Sequence, residues 1–100
     1  PFYGAPTVLV VLAEKDFPVG IYDGCCVMDN LLNAAEAAGL GGCWIHRAKE
    51  EFESDEGKAL LKQWGVEGEY EGIGHVALGY WDGARPEAAP RKANYIYRVK

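Results

Sequence analysis

Serine, cysteine, methionine and long apolar runs are all scarce in this chain, and each scarcity removes a class of function. Ser54 is the only serine. It lies outside any Gly-x-Ser-x-Gly context, which excludes a nucleophile-elbow hydrolase. It precedes Asp55 and Glu56, and this order reads as a helix cap followed by acids in the first turn. Cys25, Cys26 and Cys43 are an odd number with no CxxC spacing. They make neither a zinc signature nor a disulfide framework, and free thiols of this kind fit a reducing cytoplasm. His46 and His75 have no acid or cysteine at metal-ligand spacing, so both read as structural and no metal site is expected. The longest strongly apolar run, Val8 to Ala13, has six residues, whereas a membrane-spanning helix needs about 20. The N-terminus lacks the basic-then-apolar layout of a signal peptide. Met28 is the only methionine and the chain opens on Pro1, which implies processing or a start further upstream.

Basic residues are outnumbered, 10 against 15 acids, giving a net charge of −5 and a pI near 4.9. That balance argues against general nucleic-acid binding, which neutralises phosphates with Lys and Arg. The charge is also unevenly spread. Between Ala84 and Lys100 stand five basic residues and one acid, a net of +4, so the preceding stretch carries −9. A basic tail can be a solvated face or can meet an anion. With 49% apolar and 25% charged residues over 100 positions, the chain has the composition of ordinary globular protein and the length of one domain at most.

Pattern divides the chain into elements. Pro6 to Ala13 is a β-branched and aliphatic run, expected as a strand buried on both faces. Glu14 to Gly20 reads as a loop. Tyr22 to Ala38 reads as a long helix, with Asp23 as N-cap. Its apolar stripe is Gly24, Val27, Leu31, Ala35 and Ala38, widened by Met28 and Leu32, and Gly39 is its left-handed stop. Gly41 to His46 is expected as a short strand. A second helix follows Ser54, with Leu60, Leu61 and Trp64 on its apolar face and Gly65 at its end. Val66 to Gly72 reads as a loop and His75 to Tyr80 as another strand. Ala84 to Pro90 reads as an extended linker. Asn94 to Val99 alternates like a strand that need not pair within its own subunit. The layout is α+β, a mixed α/β sandwich.

Local motifs admit bland readings. The glycines of Gly39 to Arg47 follow a helix and precede a strand, the reverse of the dinucleotide fingerprint. As structure they end a helix and allow tight packing. As function they let main chain approach a flat ligand. The acids Glu50, Glu51, Glu53, Asp55 and Glu56 read as a solvated face. Trp44, Trp64 and Trp81 read as core or interface.

Four segments in order resemble the C-terminal half of the FMN-dependent nitroreductase family. Phe2-Tyr-Gly-Ala-Pro-Thr-Val-Leu-Val-Val-Leu12 is similar to the approach to the family's central strand. Asp29-Asn-Leu-Leu-Asn-Ala-Ala-Glu-Ala-Ala-Gly-Leu-Gly41 is similar to its long core helix and the following turn. Cys43-Trp-Ile-His-Arg47 stands where the family wraps main chain around the flavin. Gly74-His-Val-Ala-Leu-Gly-Tyr80 and Pro90-Arg-Lys92 resemble its last core strand and basic tail motif.

The resemblance implies a nitroreductase-like fold, with a central mixed sheet flanked by helices and a C-terminal strand exchanged with the partner subunit. Residues 1–100 would then be the C-terminal part of one domain whose N-terminal half is missing. It also implies a cytoplasmic homodimer that binds FMN, takes hydride from NADH or NADPH and reduces nitroaromatics, quinones or similar small acceptors, with no nucleic acid or membrane as partner. The chemistry resides on the flavin, so no catalytic side chain is expected. Trp44, Ile45, His46 and Arg47 would lie along the isoalloxazine, with a main-chain N–H near His46 or Arg47 at its reactive edge. Arg91 and Lys92 would face the phosphate. His46 is a departure, because many relatives carry a small residue there. The absent half allows a second reading, a truncated non-catalytic binding or dimerisation module, and a third, a related fold doing other flavin chemistry.

Overall fold

The computed structural model describes residues 2–100. Element order is β1 (Thr7–Glu14), α1 (Gly20–Ala37), β2 (Gly41–Ile45), α2 (Ala48–Glu53), α3 (Asp55–Gln63) and β3 (Tyr70–Gly79). The strands form one sheet in the order β1-β3-β2. β1 and β2 run the same way, joined by the α1 crossover, but β3 inserts between them and pairs antiparallel with each. The sheet of this chain is therefore antiparallel rather than mixed.

The sheet is sandwiched between helices, which explains the unbroken apolar run of β1. Leu9, Val11 and Ala13 face a core cluster with Met28, Ile73 and Val76 on the α1 side. Val10 and Leu12 face Ala48, Phe52 and Leu61 on the α2–α3 side. An alternating pattern appears only when one face meets water, and β1 has helices on both.

α1 begins two residues before the expected start and ends one residue before the expected end. It starts at Gly20, its N-cap is Val19 without a side-chain cap, and Asp23 sits inside the first turn. Its buried line is Gly20, Gly24, Met28 and Ala35, while Val27 stays 47% exposed. Gly24 sets this register, because a Cβ there would collide with Ile73. Gly39, at φ 79°, ends the helix as expected. Its N–H donates to the Glu36 carbonyl, and that of Leu40 to Ala35, which is the Schellman pattern. Gly65 ends α3 in the same way, through Gly65 to Lys62 and Val66 to Leu61.

Ser54 caps α3 by accepting from the Gly57 N–H at 3.0 Å. The short α2 stands where the sequence pattern shows only a run of acids, because its buried residues are just Ala48 and Phe52. β3 starts at Tyr70, earlier than expected, and contains a bulge: Val11 pairs with Gly74 but Leu12 with Gly72. The extra residue, Ile73, breaks the alternation. Ile73 and Gly74 both meet α1, while Gly72 and His75 both meet α2.

Gly72 lies directly under Ala48, whose backbone carbonyl would clash with any added Cβ. Gly72→Ala is expected to lift α2 off the sheet at a cost of about 1–3 kcal/mol. A urea unfolding midpoint equal to that of the parent would show that the contact is not as close as described.

Candidate functional site

β2 carries the first four expected site residues to one end of the sheet. It pairs with β3 through Trp44 opposite Val76 and Ile45 opposite His75. Its other edge is unpaired among the described residues. Trp44 is 36% exposed, and its indole nitrogen lies 2.7 Å from where a Cβ on Gly74 would stand. A glycine at 74 is what admits the ring there. Ile45 is half-buried, and His46 and Arg47 are exposed in the turn before α2. Arg47 is the N-cap of α2, and its carbonyl accepts from the Glu51 N–H at 3.1 Å. At the start of β2, Gly41 to Cys43 line a cleft of about 410 Å³ with Phe2 to Pro6 and Ala77 to Asp82.

Arg91 and Lys92 are not gathered to that end. Residues 80–100 are exposed and form no helix or strand. Arg91 donates to the Ala89 carbonyl of its own loop at 3.2 Å. The radius of gyration is 16.5 Å, against about 13 Å for a compact chain of this length. The tail is tied down only near its root, where the Arg85 guanidinium lies 5.1 Å from the centre of the Trp81 ring and pairs with Glu36. Tyr95, Ile96, Tyr97 and Val99 are all more than three-quarters exposed. The alternating segment finds no partner strand among the described residues.

The acidic stretch is not wholly a solvated face. Glu51 turns inward, and its Oε2 lies 2.6 Å from Nε2 of His75. His75 is 2% exposed and its Nδ1 has no partner among the described residues. The ring rests edge-on against Phe2, with centroids 5.1 Å apart, and tilts over Phe52 at 5.8 Å. Sequence spacing could not show this pair, because 24 residues separate its members. The other acids do face water. Lys49 bonds Glu53 at 2.9 Å. That hydrogen bond, and then the opposite charge, holds the Glu53 carboxyl below its ordinary range and the Lys49 ammonium above its own. So exposed a pair adds little stability.

Among the described residues no group of three or more His, Cys, Asp or Glu could hold a metal, and no helix is long and apolar enough to cross a membrane. The arrangement suits a flat ligand instead. An open strand edge offers main-chain donors and acceptors, two glycines begin it, and a half-exposed indole and an exposed guanidinium lie beside it.

The nitroreductase family model matches residues 1–80. The chain belongs to the nitroreductase family. A nitroreductase from Bacteroides fragilis, solved with bound FMN, superposes with a TM-score of 0.87 at 32% identity over 99% of this chain and 54% of its own. An FMN-dependent nitroreductase from Clostridium difficile gives 0.80 at 25% identity, over 98% of this chain and 60% of its own. An iodotyrosine deiodinase bound to FMN and 3-iodo-L-tyrosine shares the fold, with a TM-score of 0.67 at 23% identity. No curated protein matches the chain. This nitroreductase-family chain spans between about half and three-fifths of the length of these solved relatives.

The residues at the β2 end fit one wall of an FMN site. The basic pair Arg91 and Lys92 has the chemistry for its phosphate, but lies on the exposed tail.

Proposed function

We propose that this chain is the C-terminal part of a flavin-dependent oxidoreductase domain that holds FMN along Trp44, Ile45, His46 and Arg47. The observation that carries this reading is the open edge of β2 in a nitroreductase-family fold, ending in an exposed turn. Bound there, FMN would supply hydride chemistry, from NADH or NADPH to a nitroaromatic, quinone or similar acceptor. The chain's own part is to bind and orient. Main-chain N–H groups at His46 or Arg47 would donate to the electron-rich edge of the ring. Trp44 would give it an apolar neighbour, and Arg91 and Lys92 would pair with the phosphate oxygens.

The exposed tail fits the same reading. Tyr95, Ile96, Tyr97 and Val99 present apolar side chains that the described residues leave uncovered. Two outer sheet edges are also free among the described residues. Exchange of the last strand between two copies in a cytoplasmic homodimer would cover both the tail and an edge, and would bring a basic pair to each site. The rest of the domain would come from an N-terminal half preceding Pro1.

The test is to express the chain with the coding sequence upstream of Pro1 and record its visible spectrum and its oxidation of NADH and NADPH. Yellow protein with a flavin spectrum and turnover is expected. Protein that stays colourless with added FMN overturns the reading. A folded, flavin-free dimer by light scattering would instead identify a non-catalytic assembly module.

A further inference from the structure

The central strand reaches the His46–Arg47 turn through a short run of contacts behind it. Gly72 of β3 receives the backbone of Ala48, the first residue of α2. His75 of β3 bonds the Glu51 carboxylate at 2.6 Å. The Glu51 N–H in turn donates to the Arg47 carbonyl at 3.1 Å. Glu51 thus uses its side chain toward the sheet and its main chain toward the turn. The bulge at Ile73 makes this possible. Residues 72 and 75 would point to opposite faces of a regular strand, and the extra residue turns both toward α2.

The chemistry of His75 argues that the bond is more than filling. A carboxylate only accepts, so Nε2 carries the proton in the neutral ring and Nδ1 is left as a bare acceptor. Among the described residues that nitrogen is buried without a partner, and an unmet buried acceptor costs stability. A phenylalanine would pack between Phe2 and Phe52 without that cost. A purely space-filling role gives no reason for an imidazole.

We infer that His75 and Glu51 are positioning residues that hold the cofactor-facing turn at His46–Arg47 in register with the sheet. The inference rests on the flavin reading above for what the turn faces, but not for its geometry.

The test uses the protein expressed with its upstream sequence and two variants. His75→Phe keeps an aromatic ring between Phe2 and Phe52 and removes the donor. His75→Gln keeps a donor where Nε2 stands. Amide hydrogen exchange reports the turn directly, and FMN titration reports its consequence. In His75→Phe, exchange across residues 47–51 and the FMN dissociation constant are each expected to rise about tenfold, the scale of one lost hydrogen bond. The unfolding midpoint should hold, and His75→Gln should restore both readouts. If His75→Phe fails to fold, Glu51→Ala breaks the same bond from its more exposed end and should give the same two changes. Exchange at 47–51 that stays at the parent's rate overturns the inference. So does a loss of stability spread evenly over the chain. A parent protein that binds no FMN overturns the flavin reading instead, and the exchange data alone then decide the positioning role.

Discussion

Met28→Ala is expected to destabilise the folded protein by about 2–5 kcal/mol. Met28 is fully buried, at 0% exposure, and sits where α1 meets the centre of the sheet. Its terminal atoms lie against Gly74, where a Cβ would stand 2.9 Å from Cε. Val11, Ile73 and Val76 complete the cluster, with Leu31 and Leu32 half-buried beside it. Truncation leaves a cavity that Gly74 has no side chain to fill. The neighbouring close contact between Gly24 and Ile73 also limits how far α1 can settle inward. Urea unfolding measures the loss. A change below about 1 kcal/mol, the size of an ordinary substitution, would mean that α1 is not seated on the sheet as described. Leu60→Ala, at a position 37% exposed on α3, is the comparison and should cost far less.

Replacing Arg91 and Lys92 together by alanine is expected to weaken FMN binding about a hundredfold or more. Each charge-assisted bond to a phosphate oxygen contributes roughly 1.5–3 kcal/mol, and about 1.4 kcal/mol is tenfold in affinity. The experiment is clean because neither side chain belongs to the sheet or the buried core. Both side chains are exposed, and the Arg91 bond stays within its own loop. Surface changes of that kind usually move stability by less than about 0.5 kcal/mol. A loss of affinity with an unchanged unfolding midpoint therefore assigns the pair to the phosphate. Unchanged FMN affinity in the double variant rejects the assignment.

These two effects fall on opposite parts of the molecule, and the sequence was unequally informative about them. The helical stripe around Met28 was legible because its spacing repeats every three to four residues. The stripe's centre was not, since a glycine that lets another side chain approach looks the same as one that merely weakens a helix. Gly24 drew α1 toward Ile73 and left Val27 half outside. Gly39 and Gly65 were legible as stops because each follows a helical pattern that it ends. Ser54 was legible as a cap because acids follow it.

Other features depend on pairs far apart in the chain. The bulge at Ile73 exists only where β1 and β3 register. The inward turn of Glu51 depends on His75, 24 residues away. Glu51 carries no local mark that separates it from its solvated neighbours. The site shows the same division. Trp44 to Arg47 were brought together because they are consecutive on β2 and the turn after it. Arg91 and Lys92 lie beyond the last strand, on a segment whose packing this chain alone does not supply.

By itself the sequence determined β1, α1, β2, α3 and the C-terminal half of β3, the glycine stops and serine cap that bound them, and the charge division between an acidic body and a basic tail. It could do so because propensity, capping and periodicity are local, each set by residues within a turn or two. Only the tertiary structure decided that β3 lies between β1 and β2, that a bulge aims His75 at Glu51, and that Gly72 seats α2 behind the turn. Those outcomes follow from strand register and close packing between distant segments, where one added residue or one missing Cβ changes which faces meet.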